Sequence, residues 1–239
     1  MVVDIFIPCT IDQYYPETAF NMLKILERVG VTVKYNPEQT CCGLHSFNCG
    51  HWDETKEIGE KFIKEFANSK YIVVPSSKCS SMVKNYYTEL FHNTALHNEY
   101  KLIQKNVYEL SDFLVNVMNI ETIGGRFDGV VTYHDSCASL REYKTFEQPR
   151  ILLKNVKGLE LREMKDSDVC CGFGESFSIT NEPISISLAQ QKITNAMNTG
   201  AEYIASTEPT CLMHLNAYAK KNNLPIKTIH LIDILSAGL

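Results

Sequence analysis

The amino-acid sequence predicts an α/β protein built from two pseudo-symmetric, Rossmann-like halves, each with a mainly parallel sheet. Short apolar segments with strand character alternate along the chain with amphipathic segments of helical period. Eight of the nine cysteines form one pattern that occurs twice. Each of these eight follows closely after a predicted strand, at the end where open α/β sheets place their ligand crevices. A duplicated unit with its cysteines at the C-terminal strand ends accounts for all three observations.

The register of the cysteines defines the repeat. The separation between Cys9 and its counterpart Cys137 is nearly the same as the separation between Cys79 and its counterpart Cys211. Eight independently placed cysteines would not keep so constant an offset, so we expect one thiol site in each half. The four matched pairs are Cys9 and Cys137, Cys41 and Cys170, Cys42 and Cys171, and Cys79 and Cys211.

The two repeats share an order of elements. A boundary near Gly124-Gly125 divides the chain into two repeats, residues 1–122 and 123–239. We call them the first and second CCG repeats, after the Cys-Cys-Gly segment that each contains. Strands are predicted where short apolar runs lead into a cysteine loop, and helices where apolar residues recur at helical spacing. The first repeat is predicted to contain strands at Val2–Ile7, Val31–Tyr35 and Tyr71–Pro75, and helices at Thr18–Val29, Glu54–Ala67, Met82–Phe91 and Asn106–Met118. The second is predicted to contain strands at Gly129–Tyr133, Leu159–Arg162 and Tyr203–Ser206, and helices at Arg150–Asn155, Pro183–Asn198, Cys211–Asn222 and Ile229–Leu235.

Composition and charge argue against several classes of protein. The chain has 239 residues, 44% apolar content and a net charge of −5. Binding of nucleic acid needs clustered positive charge, and no Lys/Arg cluster is present. No apolar run approaches the roughly 18–20 residues that cross a bilayer, and the first segment lacks the features of a secretion signal. We therefore expect a cytoplasmic protein, in which cysteines at fixed spacing indicate metal or redox chemistry more often than structural disulfides.

The eight paired cysteines are the candidate ligands of a cofactor or metal. Thiolates are the soft donors that iron–sulfur clusters and zinc select. Adjacent cysteines diverge along an extended chain, so they reach two irons of one cluster more easily than one ion, although four thiolates also suit tetrahedral zinc. Gly43 and Gly172 follow the Cys-Cys pairs and let the backbone approach sulfur without a Cβ clash. The alternative of buried cysteines without a ligand is disfavoured by the duplicated register.

This cysteine frame resembles the cysteine-rich CCG domain family. In each repeat a Cys-Cys-Gly segment lies between one cysteine well upstream and another well downstream, at similar separations in the two copies. The family includes a heterodisulfide reductase subunit, the iron–sulfur subunit of glycolate oxidase and the lactate-utilisation protein A group. The chain is most similar to the last group, which it resembles over essentially its whole length. The matching stretches are Tyr108–Asn116, Lys154–Leu159, Cys170–Gly174 and Cys211–Met213.

The resemblance implies an oxidoreductase subunit that is not active alone. It implies a complex that oxidises L-lactate to pyruvate and passes electrons through iron–sulfur centres. The partners that it implies are a ferredoxin-like iron–sulfur subunit and a third subunit. The sequence has no Gly-x-Gly-x-x-Gly after a strand, no phosphate-binding loop and no recognisable flavin site, so no nucleotide cofactor is predicted.

Three positions depart from the family pattern. The family motif ends in Cys-x-x-Cys, whereas Met82 and His214 occupy those final positions here. Each repeat therefore offers four thiols, which suit an ordinary [4Fe–4S] cluster, one or two per chain, but not the five-thiolate cluster of the full motif. His214 lies about one helical turn after Cys211 and is a candidate nitrogen ligand. Glu175 stands where the family usually has glycine, and is expected beside the second site as a solvated charge or a proton relay.

Other side chains near the cysteines are weaker candidates. His134 precedes Cys137 by about one helical turn and is a candidate hydrogen-bond donor to a cluster sulfide. His45 and His51 flank the first site. Cys49 lies outside the repeat and is predicted to be a core or surface thiol.

Two alternatives to electron transfer stay open from the sequence. One is a thiol-active, heterodisulfide-reductase-like subunit, with Cys41-Cys42 or Cys170-Cys171 as the working pair. The other is a zinc-binding structural subunit of the same complex. The content of iron, sulfide and zinc separates the cluster from the zinc hypothesis.

Overall fold

The computed structural model describes residues 1–239, which form two four-stranded sheets. The strands of the first sheet are β1 (Val2–Ile5), β2 (Thr32–Tyr35), β3 (Ile72–Val74) and β4 (Val107–Glu109). Those of the second are β5 (Arg126–Tyr133), β6 (Lys157–Leu161), β7 (Tyr203–Ser206) and β8 (Lys227–His230). Their orders are β2-β1-β3-β4 and β6-β5-β7-β8, and all neighbours are parallel. The same order in both sheets confirms the predicted α/β fold of two similar halves.

Helices connect the strands in both halves. The first half contains α1 (Cys9–Tyr14), α2 (Pro16–Arg28), α3 (Leu44–Asn48), α4 (Trp52–Phe66), α5 (Ser77–Ser81), α6 (Tyr87–Phe91), α7 (His97–Asn106) and α8 (Leu110–Asp112). The second contains α9 (Glu147–Lys154), α10 (Phe177–Thr180), α11 (Glu182–Met197), α12 (Pro209–Lys221) and α13 (Leu231–Leu235). Three stretches have π-helical hydrogen bonding, at Met82–Tyr86, Phe113–Val117 and Ala138–Tyr143. No helix combines the length and the apolar character needed to cross a membrane.

The predictions of two helices are partly wrong, because the structure has a strand in the first part of each predicted range. Val107–Glu109, within the helix predicted at Asn106–Met118, pairs with β3 as the fourth strand of the first sheet. In the second half, His230 and the residues before it pair with β7, although a helix was predicted from Ile229 onward. Each strand is short and runs directly into a short helix, so its apolar residues also fit a helical period. Pairing with the neighbouring strand decides the conformation, as tertiary contacts often override local pattern.

The two halves share part of one hydrophobic core. A single cluster of 23 buried residues contains Val3 and Ile25 from the first half together with Val131 and Leu153 from the second. Polar contacts reinforce the junction: the Asp233 carboxylate accepts hydrogen bonds from Thr18 Oγ1 and Asn21 Nδ2, both at 2.9 Å. Continuous packing of this kind holds the strand ends of one half in a fixed position relative to the other.

A buried glutamate ends the fourth strand of the first sheet. Glu109 is 1% exposed, and its Oε2 accepts hydrogen bonds from the backbone N–H groups of Ser111 (2.9 Å) and Asp112 (3.4 Å) at the start of α8. Its Oε1 has no hydrogen-bond partner. Burial disfavours the charged form and raises the pKa of Glu109 to about 7.

This raised pKa predicts a loss of stability as the pH rises. The folded protein holds a proton on Glu109 that the unfolded chain releases near its ordinary pKa of 4.5. The contribution of Glu109 to the free energy of unfolding should therefore fall by about 3 kcal/mol between pH 4.5 and 7, and stay level above that window. Urea unfolding of the wild type and of Glu109→Gln across this range measures it, because the glutamine cannot titrate. A pH-independent difference between the two proteins would contradict the prediction.

Candidate metal centres at the strand ends

The four cysteines of the first repeat converge at the C-terminal ends of their strands. Cys9 begins α1 just after β1, Cys41 and Cys42 lie in the loop after β2, and Cys79 lies in α5 after β3. The Sγ atoms of Cys9 and Cys41 are 3.9 Å apart. Cys42 lies beside Cys41 and Cys79, close enough for these thiols to shift its pKa. The four thiols therefore form one continuous row, which we call the first site.

The second repeat builds the same row. Cys137 follows β5, Cys170 and Cys171 lie in the loop after β6, and Cys211 lies in the first turn of α12. The Sγ atoms of Cys171 and Cys211 are 2.9 Å apart. Cys170 lies beside Cys137 and Cys171, close enough for these thiols to shift its pKa. We call these four thiols the second site.

The glycine after each Cys-Cys pair shapes its site. Gly43 and Gly172 adopt left-handed conformations with φ of 85° and 95°. Their N–H groups donate to the sulfur of the first cysteine of the pair, Cys41 at 3.4 Å and Cys170 at 3.3 Å. A Cβ atom at position 172 would lie 2.5 Å from the backbone oxygen of Ser185. A side chain is therefore excluded at position 172 by the neighbouring backbone as well as by the positive φ.

The thiols of the two sites differ in acidity. In the first site, hydrogen bonding with Cys42 and burial raise the pKa of Cys41 to about 11. In the second, the hydrogen bond from Cys171 lowers the pKa of Cys211 to about 6, and the neighbouring thiol of Cys137 lowers the pKa of Cys170. Because the thiolate is the form that binds metal, the lowered pKa values of Cys170 and Cys211 favour metal binding at the second site.

The structure corrects the expected position of Glu175. This residue belongs to the second half but lies beside the first site, where its Oε1 is 3.5 Å from Lys78 Nζ and its Oε2 accepts a hydrogen bond from Asn48 Nδ2 at 3.1 Å. His45 Nδ1 lies 3.6 Å from the same carboxylate. The loop after Gly172 crosses from one half to the other, and no local sequence pattern indicates this crossing. Glu175 is therefore an interface residue, and it adopts a positive φ of 54°.

Glu208 was not among the sequence candidates, yet it connects the two cysteine helices. It is 1% exposed and caps α12, where its Oε1 accepts from Thr210 N and Oγ1 at 3.4 and 3.0 Å. Its Oε2 accepts from Ser76 Oγ (3.0 Å) and Lys78 N (3.2 Å), which lie at the start of α5. One carboxylate thus binds the N-termini of the helices that carry Cys79 and Cys211. An acidic residue directly before Pro209 at a helix start was the available signal.

Lys78 supplies positive charge between the sites. Its ammonium contacts the ring of Phe173 in the second half, 5.4 Å from the centroid, besides pairing with Glu175. Burial by itself lowers the pKa of Lys78, but the charges of Glu208 and Cys211 outweigh burial and raise it above its ordinary value. The lysine therefore stays charged and offsets part of the negative charge that thiolates concentrate here.

His134 lies inside the second site. It is fully buried, and a nitrogen of its ring lies within 4.8 Å of the sulfur atoms of Cys171 and Cys211. Its Nε2 has no hydrogen-bond partner. His214, the nitrogen ligand considered from the sequence, instead places its Nε2 3.3 Å from Ser185 Oγ. Both histidines were candidates from the sequence, and the structure brings His134 into the thiol cluster.

The remaining candidates lie outside the two rows of thiols. Cys49 is exposed, with its Sγ 4.0 Å from His45 Nε2. His51 is exposed at the start of α4. Met82 is fully buried in an apolar cluster, so it packs in the core where the family pattern has a cysteine.

The donor set fits a thiolate-bound metal group. Each site offers four neighbouring sulfur atoms and a glycine N–H group that donates to sulfur, and every one of these cysteines except the exposed Cys9 is partly or fully buried. Soft donors in a sheltered pocket are the ligands of iron–sulfur clusters and of structural zinc. The buried, unpartnered Nε2 of His134 also indicates a partner at the second site.

Comparison with known proteins agrees with this arrangement. The Cysteine-rich domain family model, CCG, matches residues 3–84 and 131–216, one copy in each half. Lactate utilization protein A of Geobacillus kaustophilus is 35% identical over 238 residues, which cover 99% of each chain. Lactate utilization protein A of Halalkalibacterium halodurans is 34% identical over 236 residues, covering 99% of this chain and 97% of the relative.

A solved structure extends the comparison to the fold. The crystal structure of a hypothetical protein from Helicobacter pylori superposes on the whole chain with a TM-score of 0.57 at 12% identity. The chain covers 49% of that protein, about half its length, so the likeness concerns the fold alone. Two matches to one domain model, each containing a full row of four thiols, account for the duplicated cysteines. The chain therefore belongs to the cysteine-rich CCG domain family, and it matches curated relatives named lactate utilization protein A along nearly its whole length.

Proposed function

We propose that this chain is an iron–sulfur electron-transfer subunit of a cytoplasmic complex that oxidises L-lactate to pyruvate. The observation that carries the proposal is the pair of contiguous four-thiol rows at equivalent strand ends. The names of the relatives support the lactate substrate. Four thiolates per site match an ordinary [4Fe–4S] cluster, one or two per chain. The proposed ligands are Cys9, Cys41, Cys42 and Cys79 in the first site and Cys137, Cys170, Cys171 and Cys211 in the second.

The surrounding residues have defined tasks in this proposal. An iron–sulfur cluster supplies one-electron transfer when it is bound. The chain's own groups hold it and limit its contact with water: Cys42, Cys171 and Cys211 are buried, and the Gly43 and Gly172 N–H groups donate to thiolate sulfur. Hydrogen bonds to sulfur and nearby positive charge are the means by which a protein sets the reduction potential.

Lactate oxidation releases two electrons and two protons, so the proposed complex needs more than this chain. Iron–sulfur centres pass electrons singly, and the group that first accepts the electron pair from lactate is assigned to a partner. We propose a ferredoxin-like iron–sulfur subunit and a third subunit as these partners. The division of this chain into repeats 1–122 and 123–239 stays a prediction that separate expression of the repeats would test.

Metal analysis of anaerobically purified protein tests the proposed function. We expect brown protein with iron and acid-labile sulfide in near-equal amounts, together with an electron paramagnetic resonance signal after reduction. Colourless protein after full anaerobic reconstitution with iron and sulfide would exclude the proposal. Zinc in both sites without a redox-active signal would instead favour the structural alternative.

A thiol-active subunit is a second candidate, and one contact favours it. The sulfur atoms of Cys171 and Cys211 are 2.9 Å apart, and the pKa of Cys211 is lowered to about 6. Attack by Cys211 on a small disulfide would release one thiol, and attack by Cys171 on the mixed disulfide would release the second and leave a protein disulfide. Reduction of one equivalent of a small disulfide by metal-free protein, or turnover when an added dithiol reduces the protein disulfide again, would support this candidate if Cys171→Ser abolished it. No reduction of the disulfide by the metal-free protein would exclude it.

A further inference from the structure

The imidazole of His134 is held in one orientation by the loop that precedes Cys170. Its Nδ1 lies 3.3 Å from the backbone oxygen of Ser167. That oxygen is fixed in turn, because it accepts hydrogen bonds from Asp135 N at 3.1 Å and Lys192 Nζ at 3.0 Å. The side chains of His134 and Lys192 are buried, so the arrangement is built into the core of the second half.

This hydrogen bond determines the tautomer of His134. A carbonyl oxygen only accepts, so Nδ1 must carry the proton that it donates to Ser167. In a neutral imidazole the other nitrogen, Nε2, is then unprotonated and carries a free lone pair, in a ring that lies beside the thiols of Cys171 and Cys211. A nitrogen in this state is a ligand or an acceptor, and it cannot donate a hydrogen bond to a cluster sulfide. The donor role considered for His134 from the sequence is therefore replaced by that of a ligand or an acceptor.

The first site has no equivalent of this nitrogen. The same sequence offset that relates Cys9 to Cys137 also relates Phe6 to His134. Phe6 is 1% exposed and packs edge-on against Phe62 and Phe66, with ring centroids 4.9 and 6.0 Å away. The same place in the fold thus holds an apolar ring in one half and an imidazole with a free lone pair in the other.

We propose that His134 is a nitrogen ligand of the second site and binds, with Cys171 and Cys211, a thiophilic metal that the first site holds through sulfur alone. The metal is either a single divalent ion such as zinc or an iron of a cluster, since both accept imidazole and thiolate. The three donor atoms lie within 4.8 Å of one another. This inference rests on the metal-binding role proposed for the second site, and it makes the two sites chemically distinct.

Cobalt binding tests the ligand in the absence of iron. The probe is Co²⁺ alone, added anaerobically to metal-free protein carrying Cys42→Ser, so that the second site gives the main optical signal. In this background His134→Asn is expected to weaken Co²⁺ binding at least about 10-fold and to shift the visible bands. Asparagine keeps a donor for Ser167 while removing Nε2. Unchanged affinity and bands would overturn the inference.

His214→Asn is the matched control, because His214 lies on the same half and contacts Ser185 instead of the thiols. It should leave affinity and bands as they are, and an equal loss in this variant would also overturn the inference. If His134→Asn does not fold, His134→Phe provides the second variant, since phenylalanine occupies the equivalent position of the first half.

Pulsed electron paramagnetic resonance of reduced, iron-reconstituted wild type needs no variant. A strongly coupled ¹⁴N nucleus is expected if the metal is a cluster iron. Nitrogen ligation in the cobalt form without an iron signal assigns the site to a single ion, which supports the inference and contradicts the proposed function of this site. A cluster without nitrogen coupling, combined with unchanged cobalt bands in His134→Asn, leaves the proposed function standing and overturns the inference.

Discussion

Replacing Cys42 with serine is expected to remove roughly half of the protein-bound iron and acid-labile sulfide. Cys42 is 2% exposed and lies in the middle of the first row, in contact with Cys41 and Cys79. A serine hydroxyl binds iron much more weakly than a thiolate does, so Cys42→Ser interrupts the first row and leaves the second site intact. Iron and sulfide assays on anaerobically reconstituted protein measure the loss. Cys171→Ser should produce the same loss from the other site, and the double variant should hold almost none.

Cys49→Ser is the control for these substitutions. Cys49 is exposed and outside both rows, so its loss should leave the iron content unchanged. Iron loss in Cys49→Ser equal to that in Cys42→Ser, or full iron in Cys42→Ser, would contradict the assignment of the first site.

Substitution of Arg150 by methionine is expected to lower the free energy of unfolding by about 3–5 kcal/mol. The guanidinium donates to both oxygens of Asp135, at 2.8 and 2.7 Å, and to Glu163 Oε1 at 2.7 Å. Arg150 is 5% exposed and Asp135 is fully buried, so the variant leaves a carboxylate without its countercharge in the core. Urea unfolding of the metal-free protein, followed by circular dichroism, measures the change.

The effect of Arg150→Met should also be local. Asp135 lies next to His134 and close before Cys137 in the chain. Movement of its carboxylate after the loss of Arg150 should therefore disturb the second site and not the first. Metal retention should fall at the second site only. The exposed pair of Arg126 and Asp128 provides the control, and Arg126→Met should leave unfolding and metal content unchanged. If Arg150→Met lowered the free energy of unfolding no more than Arg126→Met does, the buried pair would contribute no more to stability than the exposed pair.

The sequence predicted the parts of the molecule that depend on local pattern and on duplication. Strands such as Tyr203–Ser206 were placed correctly because a short apolar run between turn residues has few alternatives in an α/β chain. The convergence of the thiols followed from the cysteine register. The sequence did not predict the fourth strand of either sheet, Val107–Glu109 or Lys227–His230. Each becomes a strand by pairing with another strand far away in the chain, and the local sequence pattern does not indicate that pairing.

The details of the sites depend on contacts between residues far apart in the chain. Glu175 reaches Lys78 across 97 positions, and Glu208 reaches Ser76 across 132. Neither contact follows from spacing within one repeat, because duplication predicts similar sites and not how the two copies meet. His134 shows the same limit in another form. Its distance from Cys137 in sequence suggested proximity, but only the Ser167 carbonyl beside Nδ1 shows which ring nitrogen is left without a partner.

Glu208 also restricts how the two halves can move. Its Oε1 caps one cysteine helix and its Oε2 binds the start of the other, in a place closed to water. A hinge opening between the halves would strip one oxygen of its donors and leave a charged group unpaired, which opposes such a motion. The spacing between the two sites is then set by the fold, and an electron passing between them in the proposed function would cross a fixed distance.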